Sequence, residues 1–205
     1  MEVITTPWVD KTIAIIAVTP IAIELYRRYT SGNLSLPRAV LGIQVLILIL
    51  TMVFRRTPVK ITPNPWYWLL AFVATYGILF VNAFGWTGRP IAPSIVINGL
   101  ALLSAAIFIY ARLSLGRSIG FVPANRGIVT RGAYKFVRHP IYTGLFVAML
   151  AFVLRSYAPL NLLMASIIVM LFMIKSVIEE RFLRADPEYA AYLQRVRRRW
   201  IPGVA

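Results

Sequence analysis

Apolar runs of about twenty residues recur along this chain, and each is long enough to carry a helix across the hydrocarbon core of a bilayer. Six stand out, at about 11–29, 37–54, 65–84, 91–113, 140–155 and 158–178. In lipid the backbone must satisfy its own hydrogen bonds, so such runs imply helices. Pro20 is expected to kink the first. Trp66, Tyr67 and Trp68 stand at the mouth of the third, like an interfacial belt. Composition agrees. Hydrophobic residues make up 59% of the 205 and charged residues 14%, with a mean hydropathy of +0.73; a soluble domain carries about a quarter charged residues. The expected fold is an all-α integral membrane protein of about six transmembrane helices, built as one membrane domain over 1–205.

The net charge is +15, from 22 basic and 7 acidic residues. Membrane proteins gather Lys and Arg on cytoplasmic loops, and this reading is stronger than a nucleic-acid partner, so none is expected. With the N-terminus, the 2–3 loop, the 4–5 loop and the tail placed inside, only Arg27, Arg28, Arg38, Arg89 and Arg155 fall outside. This multi-pass arrangement puts both termini in the cytoplasm. The first loop is the exception, and a re-entrant or displaced first span would account for it. The opening residues, MEVITTPWVDK, lack the basic region and cleavage site of a signal peptide, so none is expected. There is no cysteine and one histidine, which excludes disulfides, thiolate metal sites and histidine-cluster metal sites.

Only SYAP separates the fifth and sixth runs, which forces an antiparallel helical hairpin. That hairpin brings the long polar stretch 114–139 and the polar tail, from about 179, to one membrane face. The few acids can be weighed singly. Glu2 and Asp10, near the N-terminus, are expected to be solvated. Glu24 lies one turn before Arg27 and Arg28, and a local ion pair is its plainest role. Asp186 and Glu188, in ADPEYAAY, read as a turn followed by an amphipathic helix. Glu179 and Glu180 close the sixth run, with Lys175 one turn earlier on the same face as Glu179, and both point toward the 114–139 segment.

Residues 137–144 read VRHPIYTG and hold the single histidine, His139. Pro140 suits the first turn of a helix and pushes His139 toward an extended conformation. His139 therefore sits at a helix mouth, where backbone N–H groups favour anions. Tyr142 adds a hydroxyl within the first turn. Gly127, Gly132 and Gly144 offer backbone freedom and close approach. Two roles are open from the residues alone: a ligand clamp at the helix mouth, or interfacial anchoring of the helix.

The stretch GIVTRGAYKFVRHPIYTG, then a hairpin, then EERFLRADPEYAAYLQRVRRRWIP, resembles the core of the isoprenylcysteine carboxyl methyltransferases and of related small phospholipid and other membrane methyltransferases. The ordered combination of G-x-Y, R-H-P-x-Y-x-G, E-E-x-x-L and Y-x-x-Y carries the likeness, over roughly 114–202. The resemblance implies N-terminal helices over 1–113 and a methyltransferase core over 114–205. It implies S-adenosyl-L-methionine as cofactor, held at a C-terminal helical hairpin on the cytoplasmic side. By the same resemblance Arg126, Gly127, Ile128 and Val129 line the cofactor's path as backbone contacts, and Tyr134 packs on it or bonds to it. His139, Pro140, Ile141 and Tyr142 hold its amino-acid end, and Glu179 contacts it from the last helix. Lys175 falls where the family often has an arginine that binds a substrate carboxylate, and a lysine keeps the charge but loses the bidentate fork.

The implied reaction is methyl transfer to a lipophilic or lipidated substrate in the membrane. The acceptor is a carboxylate of an isoprenylcysteine-like compound, a phospholipid amine or a lipophilic phenol. A carboxylate needs no general base, whereas an amine or phenol must lose a proton, for which Glu179 or Glu180 is the candidate acceptor. A small membrane transporter or scaffold is the alternative from a different class. A reductase on a similar scaffold is a further one, although no G-x-G-x-x-G fingerprint is present.

Overall fold

The computed structural model describes residues 7–30, 36–84 and 87–201. Among these residues it has seven helices. They are α1 (Pro7–Thr30), α2 (Leu36–Val53), α3 (Pro65–Phe84), α4 (Ser94–Leu115), α5 (Pro140–Arg155), α6 (Pro159–Leu183) and α7 (Pro187–Arg195). Two short strands, β1 (Lys60–Ile61) and β2 (Ala124–Asn125), pair antiparallel. Proline opens α5, α6 and α7, where its missing N–H costs no intrahelical bond. Asp186 caps α7 by accepting from the Glu188 N–H at 2.9 Å, so the turn and amphipathic helix expected of ADPEYAAY are present.

The loops gather at two ends of the helix stack. At one end the Val59 N–H donates to the Asn125 carbonyl at 2.8 Å, and the Arg56 N–H donates to Arg117 at 2.7 Å. At the same end Arg138 and His139 donate their backbone N–H groups to the carbonyls of Arg198 and Arg199, each at 2.9 Å. At the other end Arg89 and Tyr157 exchange backbone hydrogen bonds, and Ile91 donates to Leu154 at 3.0 Å. The 2–3 loop, the 4–5 segment and the tail therefore share one end, opposite the 3–4 and 5–6 loops.

Helix α4 packs closely along α5. Gly144 makes this possible, since a Cβ there would come within 3.3 Å of Ile107 and Phe108, and the Ser104 hydroxyl donates to the Gly144 carbonyl at 2.9 Å. Helix α6 returns along α5 after residues 156–158, forming the expected antiparallel hairpin, and α3 packs on its other side through Ala74 and Ile168. The first helix is continuous through Pro20 and packs on α2.

Among the described residues, two helices are long and apolar enough to cross a membrane, Ser94–Ser118 and Pro159–Leu183. Only 22% and 33% of their apolar windows are buried, so most of that apolar surface faces outward from this chain. Ile95, Leu103 and Leu113 on α4, with Leu163, Met170 and Ile174 on α6, face outward, and an apolar surface of that extent calls for lipid or protein against it. The other four sequence runs are helical as well, but helix α5 has 16 residues. At 1.5 Å per residue it reaches about 24 Å, short of a hydrocarbon core of about 30 Å.

The structure corrects the reading of Asp10 as solvated. Asp10 is 2% exposed. Its carboxylate accepts from Arg55 at 2.7 and 2.9 Å and from Arg126 at 2.8 and 3.0 Å. One carboxylate thus joins α1, the 2–3 loop and the 4–5 segment across 116 positions of sequence. The backbone of Glu24 is helical, but its side chain is not among those described, so its ion pair with Arg27 or Arg28 lies outside the described residues. Replacing Asp10 with Asn leaves two buried guanidinium groups without their shared counter-ion, which costs about 3–5 kcal/mol. The expected result is a clearly lowered thermal midpoint in detergent, whereas Glu188→Gln on the exposed start of α7 moves it little.

Candidate active site

The mouth of α5 is built from both polar segments. His139 stands just before the helix at φ −127° and ψ 61°, outside the α region that the following proline disfavours but short of the extended conformation expected of it. Its ring lies flat on that of Tyr142, with centroids 5.2 Å apart. Its Nε2–H donates to Glu180 Oε1 at 3.1 Å, and its Nδ1 lies 3.9 Å from Glu179 Oε2. The two adjacent glutamates are thereby separated into different roles.

Glu180 is 1% exposed. Besides His139 it receives Arg138 Nη1 at 3.0 Å and Arg199 Nε at 3.1 Å. Every direction around this carboxylate is taken by a cationic or imidazole donor, so it ties α6 to the start of α5 and to the tail. The tail is fixed further by Trp200, whose indole donates to Ser176 at 3.2 Å and whose carbonyl accepts from Thr143.

Glu179 is turned the other way. It is 19% exposed on its side chain and lines a cavity of about 890 Å³. The Tyr142 hydroxyl donates to it at 2.8 Å. Lys175 Nζ approaches it at 3.8 Å and lies over the Tyr142 and Phe172 rings, 5.7 and 5.4 Å from their centroids. The ammonium is thus held by one carboxylate and two aromatic faces. The lysine–glutamate pair expected at the end of α6 is present, but it is buried and stands in the cavity wall, so it is more than a solvated helix-end pair.

The second wall comes from the 4–5 segment. Gly127 has a φ of +91°, a left-handed conformation that glycine adopts without strain. The Asn125 side chain, itself donating to Asp186 at 2.6 Å, accepts from the Gly127 N–H at 3.0 Å. This turn carries Ile128 and Val129 against Tyr134, Tyr189 and Tyr192. The Tyr192 hydroxyl donates to the Tyr134 carbonyl at 2.8 Å and so docks α7 on the segment. Burial pushes all three phenols above their ordinary pKa, which keeps them neutral at physiological pH.

Of the residues singled out from sequence, Arg126, Gly127, Ile128, Val129, Tyr134, His139, Ile141, Tyr142, Lys175 and Glu179 all line this one cavity. Pro140 does not; it is buried at the first turn of α5. The Arg126 guanidinium belongs to the Asp10 cluster and also donates to the Arg56 carbonyl. Beyond the polar end the cavity continues between apolar faces of α2, α4 and α5, along Leu48, Ala105, Phe108, Met149 and Phe152. Sequence reasoning missed Arg112, Tyr189 and Tyr192 as wall residues. The Y-x-x-Y spacing was the available signal for the tyrosines, which fall on one face of a short helix.

Residues 95–186, just under half of the chain, match the family model described as Phospholipid methyltransferase. This is a family of integral membrane methyltransferases that includes the isoprenylcysteine carboxyl methyltransferases, and the match bears out the resemblance read from the motifs. It supports a membrane methyltransferase, and enzymes of this family generally use S-adenosylmethionine. No curated protein matches the chain.

The two glutamates are separable by experiment. Glu180→Gln strips a buried carboxylate from three cationic or imidazole partners and is expected to cost several kcal/mol, about 3–5 by the usual cost of breaking a buried pair. Glu179→Gln keeps an acceptor for Tyr142 but leaves the Lys175 ammonium without its carboxylate, and at a partly exposed position it is expected to cost less, about 1–3 kcal/mol. Thermal unfolding of the two variants in the same detergent checks the contrast.

Proposed function

We propose that the protein is an S-adenosyl-L-methionine-dependent methyltransferase acting on a lipophilic acceptor embedded in the membrane. The observation that carries this reading is one cavity with two chemically different parts. Its polar end is built from the motif residues and its remainder runs between apolar helix faces. Its volume of about 890 Å³ lies toward the upper end of ligand sites, which run from roughly 300 to 1,000 Å³.

The donor set fits the cofactor. A sulfonium is a cation, and Glu179 together with the Tyr134 side of the cavity wall makes the polar end favourable to one. The zwitterionic amino-acid end finds carboxylate, ammonium and imidazole groups in Glu179, Lys175 and His139. The turn at Gly127–Val129 supplies backbone groups along the opposite wall. When bound, the cofactor would supply an electrophilic methyl carbon, with a neutral thioether as the group that leaves when the acceptor takes the methyl.

The chain's own contribution is positioning and exclusion of water, which suits a displacement in which charge is dispersed. Glu180 fixes His139, and His139 fixes the plane of Tyr142 by stacking. Tyr142 in turn orients Glu179. With an amine or phenol acceptor, Glu179 is the base that takes up the proton. With a carboxylate acceptor no proton moves, and Lys175 is the cation that meets it, as a point charge without the bidentate fork of arginine. Phospholipid amines and isoprenylcysteine-like carboxylates are both acceptors of this kind.

The helices are read as a multi-pass membrane bundle. Its polar end, rich in Lys and Arg, faces the cytoplasm under the positive-inside bias. The cofactor then arrives from water and the acceptor laterally from lipid. Titration calorimetry of the purified protein with S-adenosylhomocysteine is expected to show binding. Glu179→Gln is expected to weaken that binding or lower turnover at least about ten-fold, the scale of one lost charge-assisted hydrogen bond. A folded protein that binds no S-adenosylhomocysteine, or a Glu179→Gln variant with unchanged affinity and turnover, contradicts the proposal.

A further inference from the structure

The turn at Gly127–Val129 lines the cavity but belongs to neither a helix nor a strand. It is held by the two residues before it. The Asn125 side chain accepts from the Gly127 N–H at 3.0 Å and donates to Asp186 at 2.6 Å, which ties the turn to the start of α7. Arg126 reaches the other way. It is 4% exposed, its carbonyl accepts from the Ser118 hydroxyl at 3.1 Å, and its guanidinium donates to the Asp10 carboxylate at 2.8 and 3.0 Å and to the Arg56 carbonyl. Asp10 is its one carboxylate partner among the described residues. A guanidinium this enclosed is tolerable only with its counter-ion in place. Without Asp10 the side chain gains by moving toward water, and the turn one residue away must give with it.

Asp10 is not itself part of the cavity wall. It stands on α1, outside the stretch 95–186 that matches the family model. Its carboxylate is shared between two arginines, since Arg55 Nη2 and Nε donate to it at 2.7 and 2.9 Å. Only one of the two adjoins the turn. Arg55 lies in the 2–3 loop, away from the cavity wall, and fastens α1 to that loop. Arg126 immediately precedes Gly127. The two halves of one ion cluster therefore have separable effects: loss of either loosens the fold, but loss of the Arg126 half alone frees the cavity wall.

We propose that Asp10 is a positioning residue: acting through Arg126, it sets the turn Gly127–Val129 in the cavity wall and so governs how tightly the cofactor is held. The assignment rests on the methyltransferase reading for the identity of the ligand, but it is tested without ligand as well. Asp10→Asn, Arg126→Met and Arg55→Met are made in the full-length protein in detergent. Each arginine variant leaves the carboxylate in a one-to-one pair with the other arginine, so both are expected to fold. S-adenosylhomocysteine affinity is read by calorimetry and stability by thermal midpoint. Hydrogen exchange of the Gly127 amide is read on the ligand-free protein.

Asp10→Asn and Arg126→Met are each expected to weaken S-adenosylhomocysteine binding about ten-fold and to speed exchange of the Gly127 amide by at least as much. Arg55→Met is expected to lower the thermal midpoint yet keep both readings within about two-fold of wild type. A folded Asp10→Asn protein with wild-type affinity and exchange overturns the proposal. So does an Arg55→Met protein that loses as much affinity as Asp10→Asn, because the cluster then acts only by holding the fold together. Weaker binding in Arg126→Met with unchanged ligand-free exchange also overturns it, and assigns that side chain to direct contact with the cofactor. If Asp10→Asn does not fold, the contrast between the two arginine variants decides: its presence supports the proposal and its absence overturns it. A wild type that binds no S-adenosylhomocysteine removes the methyltransferase reading. The exchange contrast then still shows whether Asp10 and Arg126 fix this wall.

Discussion

Glu180 is a carboxylate with 1% exposure, surrounded by His139, Arg138 and Arg199. A charge so placed is tolerable only when its partners are all present, and here the partners come from three separate stretches of chain. The start of α5, the C-terminal end of α6 and the basic tail are therefore made or lost together. With His139 held at Nε2, its ring has one orientation, and stacking passes that orientation to Tyr142. Tyr142 then presents its hydroxyl to Glu179. Two adjacent acids of identical chemistry become a structural pin and a cavity-facing group, because successive residues on a helix point about 100° apart.

The same division runs through the whole molecule. Asp10 plays at α1 the part that Glu180 plays at α6, binding arginines from two distant segments. Both pins lie at the end where β1 pairs with β2 and where the tail crosses the α5 mouth. The opposite end is closed by simpler backbone bonds between Arg89 and Tyr157. Ionic interactions thus concentrate at the end where the loops, the tail and the polar end of the cavity meet. Apolar packing of α4 on α5, permitted by Gly144, supplies the rest.

The helix positions, the 156–158 hairpin and the helix at ADPEYAAY were legible in the sequence, because each depends on local pattern: an apolar run, a short link, a proline after a cap. The clustering of His139, Tyr142, Lys175 and Glu179 was legible through ordered motifs. What could not be read was pairing across long separations. Asp10 looks like any acid near a terminus until Arg55 and Arg126 are brought to it, and nothing local encodes that. Arg112 was counted only as one more positive charge, since its place in the cavity wall is a property of the fold. Pro140 shares a motif with residues that line the cavity, yet it is buried at the helix start and is not part of the cavity wall.

The central claim is that a water-soluble methyl donor and a membrane lipid meet in one cavity. It is tested most directly by incubating the purified protein, in nanodiscs of mixed phospholipids, with methyl-tritiated S-adenosylmethionine and partitioning the products between water and organic solvent. The account predicts that label appears in the organic phase as a methylated lipid, in proportion to active protein. Label that remains in the aqueous phase with lipids of every headgroup offered, from a protein that binds S-adenosylhomocysteine, would contradict it.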